Sequence, residues 1–185
     1  MTEPQSRLEA RYAITEAMHR YCRSLDRMDR ELMATVFHPA ATVQYPVFEG
    51  SWRGFVDFMW PRHLRFDIHS HQLANAIVRL APDVRSAVSE SYVSASFWKG
   101  EGNAAAGGTA LAAGTQTEVR ARYLDTWSLT DDWWGIDHRI CVVDMTTEQR
   151  ATGFVGAGRR DPDDLSYQLG DFASWLTGPH EEALA

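Results

Sequence analysis

The sequence predicts an α+β domain, an antiparallel sheet whose concave side packs on a long first helix. Three observations predict it. The first 29 residues carry a helical apolar stripe, and four segments between residues 69 and 144 alternate like strands. The helical segments come first and the long strands follow in meander order, instead of alternating with them. The composition agrees, because 44% hydrophobic and 23% charged residues in a 185-residue chain are globular values. A chain of this length buries a core without needing a metal or a disulfide.

Taken in order, Ile14, Met18, Tyr21, Cys22 and Leu25 form one stripe of a helix over residues 7–29, with Ser6 as N-cap and Glu9 as its capping-box partner. Asp29 caps a second helix over 30–37, which stops at His38-Pro39 because proline cannot continue it. Residues 41–47 alternate and read as a short edge strand, in keeping with Pro46. Phe55, Phe58, Met59 and Leu64 mark a helix over 53–64 that Pro61 interrupts. Residues 69–80 and 86–98 are strands joined by a turn at Ala81-Pro82-Asp83. Residues 116–130 and 133–144 are two more, joined at Asp131-Asp132. The Gly/Ala-rich stretch 99–115 reads as a hairpin loop. Residues 149–163 are polar and Gly-rich, and 164–176 are amphipathic. Residues 1–148 are therefore read as the domain, and 149–185 as a C-terminal extension packing on it or on a neighbouring subunit.

Charge and motifs exclude several functions. The net charge of −7 makes a poor nucleic-acid binder, since phosphate contacts need a basic face. No apolar run approaches the ~20 residues that span a bilayer. The N-terminus has no apolar signal region, so a cytoplasmic protein without membrane contact is expected. Cys22 and Cys141 stand far apart and read as two buried thiols. Phosphate-binding glycine loops and the hydrolase nucleophile elbow are not found. His69 and His71 form an i, i+2 pair, but no third ligand has metal spacing, so no metal is expected.

Three groups of residues remain that could carry chemistry. Asp26 lies one turn beyond Cys22 and extends the buried stripe, where a carboxylate needs a partner. A helix-end or arginine hydrogen bond would also explain it. On a strand, His69, His71, Leu73 and Asn75 share a face. A neutral imidazole suits proton transfer near pH 7 if a carboxylate fixes its tautomer, and Asp26 is available for that. Tyr123, Asp125 and Trp127 share a face on another strand, as a ligand pocket or a solvated strand would require.

Arg20-Tyr21-Cys22-Arg23-Ser24-Leu25-Asp26-Arg27-Met28-Asp29, then Val36-Phe37-His38-Pro39-Ala40-Ala41, form the first part of a familiar pattern. His71-x3-Asn75, Arg122-Tyr123-Leu124-Asp125 and Trp134-Gly135-Ile136-Asp137-His138-Arg139 follow in order. Together, over about residues 8–145, the chain resembles the SnoaL-like branch of the nuclear transport factor 2-like superfamily. The resemblance implies a cystatin-like conical barrel, a curved antiparallel sheet wrapped around the long N-terminal helix. Relatives include scytalone dehydratase, bile acid 7α-dehydratase and hexachlorocyclohexane dehydrochlorinase. Their aspartate–histidine pair falls on Asp26 and His71, and a catalytic tyrosine on Tyr21. A first-strand tyrosine falls on Tyr45. The catalytic arginine of the bile acid enzyme falls near Val143, which leaves Arg139 as a substitute or a structural residue.

The resemblance implies a cofactor-independent lyase acting by Asp–His acid/base elimination on a bulky hydroxylated aromatic or polycyclic molecule. Dehydration and carbon–carbon cleavage are both within reach. An isomerase or cyclase using the same pair is the alternative, as is a non-catalytic ligand-binding protein. Tyr45, Trp60, Tyr92, Phe97, Tyr123, Asp125 and Arg139 are the expected substrate contacts. Strand parity allows only one of Tyr92 and Phe97 to face the pocket. Apolar side chains on both faces of 86–98 suggest a homodimer or homotrimer.

Overall fold

The computed structural model describes residues 3–101, 112–153 and 158–167. The first helix, α1, runs Glu3–Arg27, so it starts upstream of the expected Ser6 cap. Its stripe is buried as read: Ala10, Ile14, Ala17, Met18, Tyr21, Cys22 and Leu25 all belong to the core. The helix ends in a Schellman motif built on Met28 at φ 55°. Asp29 N donates to Ser24 O at 2.9 Å and Met28 N to Leu25 O at 3.1 Å. Asp26 is thereby fixed in the last turn. Asp29 then caps α2 (Arg30–Ala34) by accepting from Leu32 N at 2.8 Å.

The second helix stops earlier than expected, and strand β1 (Phe37–Tyr45) begins before Pro39 instead of after it. The register between β1 and its neighbour shifts between Phe37 and Thr42, an irregularity that accommodates the proline. Pro46 lies in the turn to β2 (Phe48–Ser51), a four-residue strand the sequence did not suggest. Ser51 caps α3 (Trp52–His63) by accepting from Gly54 N at 3.1 Å, and Pro61 lies inside that helix without ending it.

Four long strands follow: β3 (Ile68–Leu80), β4 (Ser86–Gly100), β5 (Ala112–Thr130) and β6 (Trp133–Gly153). With β1 and β2 they form one curved six-stranded sheet in the order β2-β1-β6-β5-β4-β3. The β3–β6 pairings are antiparallel as expected, but β1 pairs with β6 in parallel, so the sheet is mixed. The turn Asp131-Asp132 places both residues in the left-handed region, at φ 50° and 62°, as a two-residue hairpin requires.

Strand β6 continues to Gly153, nine residues beyond its expected end at 144, and the domain boundary placed at 148/149 falls inside it. Its residues 143–150 are exposed, so no core-facing alternation marked them as strand. Of the expected loop 99–115, the two ends belong to β4 and β5, and 102–111 lie outside the described residues. Of the amphipathic piece 164–176, Leu165–Tyr167 form a single 3-10 turn, and residues from 168 on lie outside the described residues. Cys22 and Cys141 are buried free thiols.

Candidate active site

The strand and helix that carry His71 and Asp26 are packed together, and the two side chains meet. His71 Nδ1 lies 2.7 Å from Asp26 Oδ1. The His71 backbone N–H also donates to Asp26, 2.9 and 3.0 Å from its two oxygens. A carboxylate only accepts, so Nδ1 carries the proton and Nε2 keeps the lone pair. The His71 side chain is 6% exposed and that of Asp26 16% exposed, enough burial to hold one geometry and enough access for a ligand. A bulge between Leu73 and Ala76 breaks the strand's alternation. It turns the expected Asn75 out of this face, and Asn75 is exposed.

Beside the pair lies an open groove of about 310 Å³ between α1 and β3. His19, Cys22, Arg23, Asp26, Arg27, His71 and Leu73 line it. Burial pushes the Cys22 thiol up to about 12, so it is a neutral wall and not a nucleophile at neutral pH.

On its other side His71 faces a cluster of rings. Phe97, His63 and His69 stand 5.7, 5.9 and 5.9 Å from its ring centre. Burial and the neighbouring imidazoles push His63 down to about 3, and burial brings His69 down to about 4. Both stay neutral beside the His71 ring. Among the described residues no group of three or more His, Cys, Asp or Glu is disposed to hold a metal ion. Both nitrogens of His69 are already engaged, by Leu25 O at 2.9 Å and Arg160 Nη1 at 3.3 Å.

The expected contacts divide into three groups. Phe97 is on the concave face beside His71, while Tyr92 is on the convex face and 46% exposed, so the parity argument resolves in favour of Phe97. Tyr21, Tyr45, Tyr123, Asp125 and Arg139 form a second cluster deeper in the barrel that does not line the groove. Arg139 and Asp125 pair through two bonds of 2.6 and 2.8 Å, both side chains fully buried. The guanidinium carbon lies 4.0 Å from the Tyr21 ring centre and 4.2 Å from that of Tyr123. Burial opposes its charge and Asp125 outweighs that, holding the Arg139 pKa well above its ordinary value. The Tyr21 hydroxyl, expected at the reacting centre, instead bonds the Tyr45 hydroxyl at 2.5 Å, and burial pushes it up to about 12. Trp60 is buried, with its indole N–H on Met28 O at 3.2 Å.

Sequence reasoning missed Arg23 and Arg27 on the groove, and His63 and Arg160 behind the pair. The two groove arginines lie beside Asp26 in the α1 sequence, where helical spacing gave the only available signal. His63 and Arg160 come from segments whose approach to β3 only the tertiary fold creates.

Comparison with known proteins places the chain in a family. Residues 6–140 match the model of a SnoaL-like domain. None of the curated proteins compared matches the sequence. A solved scytalone dehydratase-like protein of Novosphingobium aromaticivorans is 22% identical, with a TM-score of 0.64 over 84% of this chain and 98% of that one. A hexachlorocyclohexane dehydrochlorinase of Novosphingobium barchaimii is 13% identical, with a TM-score of 0.63 over 80% and 94%. A Mycobacterium tuberculosis protein of unknown function is 17% identical, with a TM-score of 0.60 over 78% and 77%. The matched domain accounts for well over half of the chain, which therefore belongs to the SnoaL-like family.

Proposed function

We propose that the protein is a cofactor-independent lyase that eliminates a leaving group from a hydroxylated small molecule, with Asp26 and His71 as its acid/base pair. The observation that carries this reading is the 2.7 Å contact between the two side chains at the edge of an open groove. A His71 packed into the core with no cavity beside it would have favoured a binding protein.

His71 Nε2 takes a proton from the carbon next to the one bearing the hydroxyl. The C–H electrons form the new double bond. The imidazolium, stabilised by Asp26, returns the proton to the departing hydroxyl, and water leaves. No electron is gained or lost, so the pair is sufficient for the step. The names of two solved relatives describe eliminations, of water and of hydrogen chloride, which supports the reaction class. The groove of about 310 Å³ is open to solvent, so its volume does not by itself choose between the aromatic and polycyclic substrates expected. Its lining, Leu73 and Cys22 beside two arginines, suits an apolar skeleton with polar substituents. We place self-association, as a dimer or trimer, on the convex face, where Ile77, Val88, Tyr92 and Met145 are 43–59% exposed.

The test is turnover, followed by mass spectrometry, of chelator-treated protein on a panel of hydroxylated aromatic compounds, with His71→Ala alongside. A product lighter by water is expected, with the variant slower by ~10²–10⁴-fold. An unchanged mass with altered chromatography would assign an isomerase to the same pair. Full activity in the variant would remove His71 from the chemistry. Ligand-induced stabilisation without turnover would make the groove a binding site only.

A further inference from the structure

Behind the Asp26–His71 pair lies a chain of contacts that the proton-transfer step does not use. His69 is two residues before His71 on the same face of β3. Leu25 is the residue before Asp26 in the last turn of α1. His69 Nε2 meets Leu25 O at 2.9 Å, and the next side chain along each element forms the acid/base pair. The helix end is therefore clamped to the strand at two adjacent points.

Arg160, on the far side of the chain, determines which way that clamp is wired. Its Nη1 donates to His63 O at 3.0 Å and His69 Nδ1 at 3.3 Å. Its Nη2 donates to Phe66 O at 2.8 Å and Asp67 O at 3.1 Å. A guanidinium has no acceptor, so His69 Nδ1 must present its lone pair and the ring proton must sit on Nε2, where it is donated to Leu25. The same fork gathers three carbonyls of the connection between α3 and β3, which fixes where β3 begins. Lysine, with three donors on a single nitrogen, could not serve all four acceptors. The His69 ring is held between His63, at 4.6 Å, and Phe97, at 5.9 Å.

We propose that Arg160 and His69 are positioning residues for the Asp26–His71 pair: Arg160 holds His69 as its Nε2–H tautomer, and His69 clamps the end of α1 to β3. The inference rests on reading that pair as the acid/base centre, and it assigns a task to a segment beyond the matched domain. The titratable and charged groups around His69 are His63 from α3, His71 from its own strand, Asp26 from α1 and Arg160 itself. Burial keeps His69 neutral, in agreement with a donor–acceptor role.

The test uses the full-length protein labelled with ¹⁵N and needs no substrate, so it can fail independently of the catalytic reading. Two-bond proton–nitrogen spectra at pH 7 report the tautomer of each histidine, and solvent exchange reports how firmly the His71 Nδ1 proton is held. Wild type is expected to show His69 as Nε2–H and His71 as Nδ1–H. In Arg160→Gln, His69 is expected to lose its single tautomer and the His71 Nδ1 proton to exchange at least ten-fold faster. His69→Gln keeps a donor for Leu25 and is expected to stay within about three-fold of wild type, whereas His69→Phe is expected to lose protection like Arg160→Gln. Wild-type His69 found as Nδ1–H would overturn the proposal. So would an Arg160→Gln protein with an unchanged His69 tautomer and an unchanged exchange rate. Should Arg160→Gln fail to fold, the two His69 variants decide: equal protection in both would overturn the clamp, and rescue by glutamine alone would establish it.

Discussion

Asp26 accepts three hydrogen-bond contacts from one residue, two from the His71 backbone and one from its ring, so it sets both the position and the tautomer of the imidazole. Asp125 has a different task. It is the only ion-pair partner found for Arg139 among the described residues, and both side chains are fully buried. Replacing Asp125 with alanine leaves a guanidinium in the core without its counter-charge, and is expected to cost about 3–5 kcal/mol. The double replacement of Asp125 by leucine and Arg139 by methionine is expected to recover most of that loss, because a hydrophobic pair needs no charge balance. Urea unfolding of the two variants checks both statements. Asp26 and His71 were legible in the sequence because the helical stripe and the strand alternation put each on an inward face. The role of Arg139 was not, since nothing in a linear pattern says that Asp125 lies opposite it and that Tyr21 and Tyr123 both pack against its guanidinium.

At the level of elements, the long amphipathic segments declared themselves and the polar or irregular ones did not. Helix α1 was readable because its core contacts repeat every turn. The second half of β6 was not, because both of its faces meet solvent and its side chains carry no alternation. The bulge at Leu73/Ala76 defeated parity for Asn75, since one extra residue inverts every face beyond it. The hairpin turn Asp131-Asp132 was recognised, and it is built with residues that resist its backbone. Both side chains are exposed and both φ angles are positive. Exchanging the pair for Asn-Gly is expected to stabilise the fold by about 1 kcal/mol, by relieving the left-handed strain. The check is an upward shift of the urea midpoint with an unchanged denaturant slope.

For the molecule as a whole, the buried histidines connect the site to global stability. His63 and His69 resist protonation until about pH 3 and 4, whereas in the unfolded chain they take up protons below about 6.5. The unfolded state therefore binds more protons throughout that window. Their effect leaves stability untouched above about pH 6.5, and lowers it as the pH falls from there towards 3–4. The slope is up to about 1.4 kcal/mol per pH unit for each histidine. Urea midpoints at pH 7.5 and 5 are expected to differ in this sense, and His63→Phe to reduce the difference by about half. A midpoint that stays level over this range would remove the histidine cluster as a source of acid sensitivity.

The long separation between Arg160 and the residues it holds also sets an order in time. On the ribosome Asp26 emerges early, His71 follows 45 residues later, and Arg160 a further 89 residues after that. Every strand of the sheet has left the ribosome before the guanidinium that braces His69. Domains form from the N-terminal side during synthesis. The segments that carry Asp26 and His71 are thus free to meet before the arginine that braces His69 is available.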